Sequence, residues 1–565
     1  MERTQSPVQA KLQHGMSLYR AGRLGEAERL FAEVRQLEPT NFDAHYLSGV
    51  ICLQSRRMQQ GAELLAKAVT LNPRAPFAHF DLGCALSMLG RHEQALASYD
   101  NALTLKPDHP DAHVNRGNAL SELNRNDEAV VSYRKAIALR PDLIDAHSNL
   151  GVALNALALH EEALASHDKA LALRPNYASA HNNRAAVLYE LKRHAESLAS
   201  ADKAIALNPS YAEAHSNRGN ALKELNRHEE ALASYDKALA LSPKDSVHQN
   251  RSLLLLLLGR FEDGFREYEY RKRGLIQQRF LAFPDRLWLG EGSIAGKTLL
   301  VYQDFLIGDV LQFCRYAKVA ESHGAKVILL VQKSLHRLLQ QLSPTIDLLL
   351  EDEAMPDFDF HCPLMSMPLA FKTTLETIPS TVPYLRAEDE RVRRWREKLG
   401  AEGFKIGICW EGSTLAYAAS LERSCGLTEF LNIAKIPSAR LISLQKSSGA
   451  AQQLDLPAGM KVESLGEEFD AGPDAFLDAA AVMESLDLVV SVDTSIAHLA
   501  GALARPTFVV LKYMPDWRWL LGRDDSPWYP TMRLFRQRRA GDWASAFAQV
   551  ENQLSSMVVE KNKAI

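Results

Sequence analysis

Cysteine is scarce in this chain, with six residues among 565, and no two of them form a Cys-x-x-Cys pair. This scatter argues against a zinc site or a disulfide framework and favours a reducing compartment. Long apolar runs are also missing, because the run at 253–258 is far too short to span a bilayer. The polar start, MERTQSPVQAKLQHG, lacks the apolar core of a signal peptide. We therefore expect a cytoplasmic protein without a membrane span.

Strong net charge and two common nucleotide-binding motifs are absent as well. The formal net charge is −4, which gives no general attraction to nucleic acid or acidic lipid. No GxGxxG follows a strand pattern, and no GxxxxGK[ST] occurs anywhere. These absences argue against a simple dinucleotide enzyme and against a P-loop NTPase.

Proline marks a repeat in the first half of the chain. Seven prolines stand at a constant step of 34 residues, at positions 39, 73, 107, 141, 175, 209 and 243. Each interval holds two helical apolar patterns joined by a turn, and such helix pairs bury their apolar faces by stacking on neighbours. The unit resembles the tetratricopeptide repeat. The sequence predicts an α-helical superhelix of about seven repeats over residues 1–275, followed by a linker at 276–296.

Two polar residues recur at the repeat interval. One is asparagine, at Asn115, Asn149, Asn183, Asn217 and Asn250. These amides either bond to the adjacent turn or solvate a helix face, or they line a groove that holds an extended polypeptide. They resemble the asparagine ladder of the O-GlcNAc transferase repeats, which implies a protein acceptor. The other is histidine, at His79, His113, His147, His181 and His215; we expect a packing or polar role, because one histidine per repeat does not converge on a metal ion.

Strand and helix patterns alternate in the second half. Buried strand patterns such as KTLLVYQ (297–303), KIGICW (405–410) and LDLVVSV (486–492) stand among helical patterns. This alternation predicts two α/β lobes with parallel sheets, at 297–390 and 391–565, the second ending in a tail helix. Ligands bind beyond the carboxyl ends of such strands. That rule directs attention to three strand ends: Gly308–Asp309, Trp410–Gly412 and Asp493–Ser495.

Four segments of this half carry a family resemblance. They are WEGS, SLQK, SVDTSIAHLAGAL and the tail DWRWLLGRDDSPWYPTMRLFRQRRAGDW. Together they resemble the heptosyltransferase-like glycosyltransferases (family 9) of GT-B architecture, above all those that follow tetratricopeptide repeats. The resemblance implies a nucleotide-sugar donor, no metal cofactor, and two Rossmann-like lobes with the acceptor at the first and the donor at the second. Some relatives with this layout are similar to flagellin glycosyltransferases, which implies a protein acceptor.

The strand-to-helix turn at 493–498 is the predicted donor site. A helix N-terminus offers free N–H groups and a positive dipole end to a leaving phosphate. Thr494 and Ser495 would add small hydroxyl donors, His498 lies one turn further on the same face, and Asp493 would position the loop or contact the donor. The alternative is structural, with Thr494 or Ser495 as the N-cap and His498 as a buried polar residue.

Asp309 is the candidate general base at the start of the first lobe's helix. The resemblance implies this role for the aspartate of a Gly-Leu-Gly-Asp turn, and this sequence has Leu306 in place of the first glycine. The alternative is that Asp309 only caps its helix. The resemblance also implies phosphate contacts for Lys446 and Arg423, although the loop 413–426 departs from the family. Trp410 and Gly412 either shape the donor pocket or, in the case of Trp410, belong to the core at the end of a buried strand.

These observations leave three functions open. The first is a protein O-glycosyltransferase whose repeats hold a polypeptide, flagellin being one case. The second is a transferase for glycan or lipid-linked acceptors. The third is a repeat scaffold whose GT-B half has lost turnover. Neither the sugar nor the nucleotide follows from the sequence.

Overall fold

The computed structural model describes residues 6–271, 279–304, 306–412, 423–446, 452–453 and 456–564. The chain divides into two compact units, Met1–Ser242 and Pro243–Ile565. The first unit consists of seven helix pairs, whose helices are α1 (Pro7–Arg20), α2 (Leu24–Leu37), α3 (Phe42–Gln54), α4 (Met58–Leu71), α5 (Pro76–Met88), α6 (His92–Leu105), α7 (Pro110–Glu122), α8 (Asn126–Leu139), α9 (Ile144–Ala156), α10 (His160–Leu173), α11 (Ala178–Glu190), α12 (His194–Leu207), α13 (Ala212–Glu224) and α14 (His228–Leu241). The prediction of an α-helical repeat array is confirmed.

A histidine–proline contact fixes the entry to six of these pairs. In each, the Nε2 atom of the histidine on the first helix lies 2.9–3.0 Å from the carbonyl oxygen of the proline six residues earlier. A carbonyl only accepts, so Nε2 must carry the hydrogen. The recurrent histidine thus ties each first helix to the proline turn before it, as His45, His79, His113, His147, His181 and His215 do.

A small residue and a ring interlock the two helices within a pair. A methyl group built on Gly83, Gly117 or Gly219 would lie 2.5–2.6 Å from the ring of the tyrosine sixteen residues later. Contacts that short do not occur, so glycine is required there for close approach. The fifth pair places His167 against Gly151 instead, and both ring nitrogens of His167 are buried without a hydrogen-bond partner among the described residues.

Replacing His167 by tyrosine is expected to stabilise the first unit by about 1–3 kcal/mol, because it removes two unsatisfied polar atoms. Burial lowers the pKa of His167 to about 4. Since the unfolded chain binds a proton below about pH 6.5 and the folded chain does not until about pH 4, the wild type loses stability as pH falls through this window. The melting midpoint of the helical signal should therefore increase from the wild type to His167→Tyr, and the increase should be larger at pH 5 than at pH 7. If the midpoint of His167→Tyr at pH 5 were equal to or lower than that of the wild type, His167 would not be a destabilising buried histidine.

The second unit begins with an eighth helix pair and continues as two parallel sheets. Its helices are α15 (Asp245–Leu257), α16 (Phe261–Tyr268), α17 (Ile307–Phe313), α18 (Arg315–Ser322), α19 (Lys333–Leu339), α20 (Met367–Ala370), α21 (Asp389–Leu399), α22 (Leu431–Ala434), α23 (Leu477–Met483), α24 (Ser495–Ala502) and α25 (Trp543–Ala564). Its strands are β1 (Thr298–Tyr302), β2 (Lys326–Val331), β3 (Asp347–Leu350), β4 (Phe360–Pro363), β5 (Phe404–Cys409), β6 (Ala439–Ser443), β7 (Val462–Glu463), β8 (Leu488–Val492), β9 (Thr507–Leu511) and β10 (Met532–Arg536).

Strand order places the predicted strand ends side by side. The first sheet runs β3-β2-β1-β4 and the second β10-β9-β8-β5-β6-β7, with every pair parallel. The order of the second sheet is that of a full Rossmann fold, and its reversal lies between β5 and β8. The α/β module that the sequence predicts is confirmed. Residues 410–412 and 493–495 follow β5 and β8, so they flank the reversal where such sheets bind ligands.

The eighth helix pair belongs to the second unit, whereas the sequence analysis counted it with the array up to residue 275. The reason is aromatic packing. Phe261, Phe265 and Tyr268 on α16 surround the ring of Trp517 at centroid distances of 5.6–6.4 Å. These contacts attach α16 to the turn that carries the DWRW motif.

No helix in the described ranges is both long enough and apolar enough to cross a bilayer.

Candidate functional site

Helices α17 and α24, one from each lobe, pack together at their N-terminal ends. The approach is close at Gly308, where an added methyl group would lie 3.2 Å from His498 Cδ2 and 3.8 Å from the Cα atom of Ser495. Each helix begins shortly after the carboxyl end of a central strand, β1 or β8. Two of the three predicted strand ends therefore meet directly, at a glycine where a side chain would make a tight contact with His498.

Asp309 is buried at this contact, and both its carboxylate oxygens are engaged. Oδ2 accepts a hydrogen bond of 3.0 Å from the backbone N–H of Leu306, and Oδ1 pairs with Arg518 Nη2. The first contact is the helix cap that the sequence analysis gave as the alternative. Burial raises the pKa of Asp309 while Arg518 and the Leu306 N–H oppose the rise. The Asp309 carboxyl group thus caps its helix, and its pKa is higher than that of an ordinary aspartate.

Arg518 joins the two lobes at this point. Its Nη1 donates to Asp516 Oδ1 at 2.7 Å, its Nη2 contacts Asp309, and its guanidinium lies 4.6 Å from the centre of the Trp517 ring. Burial favours the neutral form, but Asp516 and Asp309 more than compensate and raise the pKa of Arg518, so the side chain is charged. Its Nε is buried and has no partner among the described residues.

Asp493 and His498 lie next to each other at the turn 493–498, the predicted donor site, hereafter called the donor turn. Their nearest charged-group atoms, Asp493 Oδ1 and His498 Nε2, are 4.0 Å apart. Burial, with Asp516 adding to it, raises the pKa of Asp493 to about 6. Burial, helped by Arg518, Arg315 and Arg423, holds the pKa of His498 well below its usual range, so the ring is neutral. His498 also stacks on Trp519 and contacts the hydroxyl of Tyr529 through Nδ1 at 3.1 Å.

The two hydroxyl residues of the turn differ in their surroundings. Thr494 is buried, and its Oγ1 lies 2.9 Å from Ser491 Oγ and 3.7 Å from Cys409 Sγ, towards the strand ends. It occupies the N-cap position without a side-chain capping bond. Ser495 is half-buried and begins α24 at the contact with Gly308. Ser495 is therefore the hydroxyl of this pair nearer the surface of the turn.

Gln445 fixes the strand end at 410–412. Its Oε1 accepts from the backbone N–H groups of Trp410 and Glu411 at 3.2 and 3.0 Å, and its Nε2 donates to the Glu411 carbonyl. Trp410 is fully buried in the core of its lobe. Gly412 lies against Arg423, whose Nε would be 3.0 Å from a methyl group built on Gly412. Residues 413–422 of the loop that departs from the family lie outside the described residues.

Arg423 and Lys446 are the two predicted phosphate contacts. Arg423 is half-buried, its Nε has no partner in the part of the chain that the structure describes, and its charge acts on both Asp493 and His498. It therefore lies at the donor turn. Lys446 is exposed and its Nζ contacts the backbone carbonyl of Asp470. Of the two, Arg423 is the one that the fold brings to Asp493.

Four buried residues around the site were not predicted. Arg315 donates to the carbonyl oxygens of Gln312, Pro379 and Trp528 and to the hydroxyl of Tyr384. Its guanidinium lies between the rings of Tyr384 and Tyr529, 4.4 and 4.6 Å from their centres. Arg518 lies in the DWRW motif, which the sequence analysis named only as part of the segment that carries the family resemblance. The missed residues are Arg315, Tyr384, Arg518 and Tyr529.

No group of three metal-ligating side chains occurs among the described residues. The cluster instead holds two arginines, Arg518 and Arg423, beside the carboxyl groups of Asp309, Asp493 and Asp516. Such an arrangement can bind an anion at the arginines and move a proton at a carboxylate.

Three of the repeated asparagines, Asn115, Asn149 and Asn217, donate to the preceding repeat. Asn149 Nδ2 donates to Asn118 Oδ1 at 2.8 Å, and Asn217 Nδ2 donates to Asn182 Oδ1 at 2.9 Å. Asn115 Nδ2 lies 3.4 Å from Cys84 Sγ, and Asn183 Oδ1 accepts from Asn182 at 3.3 Å. The Oδ1 atoms of Asn149 and Asn217 accept no hydrogen bond within the described ranges. The nitrogen of each of these two amides is therefore used within the array, and only the oxygen is left to bind a peptide.

Family models match both halves of the chain. Models described as TPR repeat and tetratricopeptide repeat match residues 88–123, 117–157, 212–245, 12–76 and 149–211. A model described as glycosyltransferase family 9 (heptosyltransferase) matches residues 466–516. The latter match covers β8, the donor turn and Asp516, and ends two residues before Arg518.

Known proteins are similar to parts of the chain. Protein FlbA of Caulobacter vibrioides is 25% identical over 330 residues, which cover 54% of each protein. The chain therefore spans about half the length of this curated relative. Among solved structures, YrrB, described as a TPR protein with an unusual peptide-binding site, is 26% identical over 33% of this chain and 96% of its own, with a TM-score of 0.29. A tetratricopeptide repeat protein from Parabacteroides merdae is 17% identical over 44% and 98%, with a TM-score of 0.36.

Proposed function

We propose that this chain, which joins tetratricopeptide repeats to a region like the family 9 glycosyltransferases, transfers a sugar from a nucleotide-activated donor to a hydroxyl of a protein bound by the repeats. The observation that carries the proposal is the buried cluster at the contact of α17 and α24. There, carboxyl groups from both lobes and two arginines of the second lobe meet beyond the carboxyl ends of the central strands.

The donor phosphates are assigned to the turn after β8. Free N–H groups at the start of α24 and the positive end of its dipole stabilise the charge that develops on the leaving phosphate. Arg423 adds a full charge, and an anion would supply the partner that its buried Nε lacks. Ser495 adds a hydroxyl, while neutral His498 holds the geometry beside Asp493. Lys446 and the pocket around Trp410 and Gly412 complete the proposed donor site.

Asp309 is the proposed general base. It lies on the first lobe, across the contact from the donor turn, so an acceptor hydroxyl between the lobes could pass its proton to this carboxylate. Burial favours proton uptake by Asp309 over uptake by an exposed aspartate. No cofactor is assigned, and the nucleotide sugar is a substrate.

A thermal-shift panel on the full chain tests the donor assignment. UDP, GDP, ADP and CMP would each be added to the wild type, to Arg423→Gln and to the exposed control Arg533→Gln in the same lobe. A nucleotide present at one hundred times its Kd stabilises the folded state by about 2.7 kcal/mol. We expect one nucleotide to raise the melting temperature of the wild type and the control, and to lose most of this effect in Arg423→Gln. No shift from any nucleotide would contradict the function.

A double substitution tests the acceptor assignment. Asn149→Ala with Asn217→Ala removes two amide oxygens that could each accept a backbone N–H of a bound peptide. At about 0.5–1.5 kcal/mol for each of the two hydrogen bonds, kcat/KM for a protein acceptor should fall about 5- to 150-fold. Hydrolysis of the donor in the absence of acceptor should not change. Asn101→Ala, on the exposed side of α6, serves as the control, and an equal loss in that variant would contradict the role of the two amides.

A further inference from the structure

We propose that Arg518 changes partners during the reaction: it pairs with Asp309 first, and the donor diphosphate then takes it over, which releases Asp309 to accept the proton. This inference rests on the proposed function, because it requires a nucleotide-sugar donor. It makes Arg518 a positioning residue that couples binding of the donor to readiness of the base.

The first step of the argument is that Asp309 cannot act freely while it is paired. One oxygen is held by the Leu306 N–H and the other by Arg518. A carboxylate in contact with a guanidinium is stabilised in its charged form and takes up a proton less readily. The negative charges of Asp516 and Asp304 raise the pKa of Asp309. Of the side chains that act on Asp309, Arg518 is therefore the one whose departure raises its proton affinity.

The second step is that a diphosphate at the donor turn would compete for Arg518. The charge of Arg518 reaches both Asp493 and His498, as does that of Arg423. The two arginines thus lie near the same turn. A diphosphate carries more charge than one carboxylate, and arginine binds phosphate oxygens in a paired geometry. The unpartnered Nε of Arg518 adds one donor that Asp309 and Asp516 do not use.

The third step is that Arg518 is held so that only its end needs to turn. Its guanidinium lies over Trp517, 4.6 Å from the ring centre, and 5.7 Å from that of Phe313. Trp517 is in turn packed against Phe261 and Phe265 of α16. Aromatic faces stabilise a guanidinium in several orientations within their plane. The stem therefore stays in place while the hydrogen-bonding end exchanges partners.

The exchange gives a balanced reaction. The acceptor oxygen forms a bond to the anomeric carbon as the bond from that carbon to the phosphate oxygen breaks. The electron pair of the broken bond leaves with the nucleoside diphosphate, whose charge Arg518 neutralises. The proton of the acceptor hydroxyl passes to Asp309. After the diphosphate leaves, Asp309 loses this proton to water and pairs with Arg518 again.

Calorimetric titration of the full chain tests the exchange without any need for turnover. The probes are inorganic pyrophosphate, UDP, GDP, ADP and CDP, and the variants are Asp309→Asn, Arg518→Gln and the two combined. If Asp309 competes for Arg518, Asp309→Asn should tighten diphosphate binding by at least about tenfold, within the usual range of couplings between sites. This gain should vanish in the Arg518→Gln background.

The double variant separates exchange from simple electrostatics. Removing a negative charge near an anion site would tighten binding in either background, so an equal gain with and without Arg518 would overturn the exchange. If the wild type binds a diphosphate and Asp309→Asn binds it no more tightly, the exchange is overturned as well. The proposed function is not affected by that outcome. Failure of every probe to bind any variant would overturn both. If Arg518→Gln melts well below the wild type, Arg518→Lys keeps the charge without the fork and should reduce the gain.

Discussion

Asp309→Asn is expected to lower the rate of sugar transfer by about 10²- to 10⁴-fold, the usual contribution of a general base. Asparagine keeps the size of the side chain and can still accept the hydrogen bond from the Leu306 N–H, so the fold should be retained. The measurement is kcat for transfer from the donor found in the nucleotide panel. Asp347→Asn, an exposed aspartate on β3 of the same lobe, is the matched control and should be fully active.

The pH dependence of the wild type gives an independent check on the same role. A base must be deprotonated to act, so kcat/KM should fall as pH falls through the pKa of the free enzyme's base. Burial raises the pKa of Asp309 above that of an ordinary aspartate, so this fall lies at a higher pH than it would for an exposed aspartate. Full activity of Asp309→Asn, or a kcat/KM that falls only in the ordinary pH range of an exposed aspartate, would contradict the assignment.

Arg315→Leu is expected to have the largest effect on stability, with a loss of about 3–5 kcal/mol from the second unit. Four hydrogen bonds of the buried guanidinium reach three backbone carbonyls and one hydroxyl. Leucine leaves these acceptors buried without a donor, and each such loss costs about 1–3 kcal/mol before relaxation. Urea denaturation monitored by tryptophan fluorescence measures the change, because all seven tryptophans lie in the second unit.

The control for this experiment is Arg533→Leu, which removes an exposed arginine from the same unit. Its free energy of unfolding should stay within about 0.5 kcal/mol of that of the wild type, as is usual for surface substitutions. A loss in Arg315→Leu no larger than that in the control would show that the four acceptors find other partners. Stability at this position would then come from the packing of the Tyr384 and Tyr529 rings and not from the hydrogen bonds of Arg315.

The sequence predicts most of the architecture because the signals are local. The step of 34 residues gives the helix pairs, and the buried runs give eight of the ten strands. The strands β4 and β10 were missed: β4 is short and contains histidine and proline, and β10 lies in a tail dominated by charged and aromatic residues. The turn residues were also found in advance, because a strand end followed by a helix is visible in the sequence.

The partners of the site residues could not be predicted. Asp309 and Arg518 are separated by 209 positions, and nothing in either segment states that they meet. The same holds for Arg315, whose partner Trp528 lies 213 positions away. Local patterns suggest which residues carry chemistry, whereas pairing across lobes depends on how two sheets and their helices pack.

The helix pair α15–α16 has a consequence for how such proteins can vary. It packs on Trp517 as part of the second unit, and the seven pairs before it form a unit of their own. Gain or loss of whole 34-residue segments before residue 243 would change the length of the array and leave the support of Trp517 untouched. Duplication could therefore alter the reach of the repeats among descendants of one gene while the reaction stays the same.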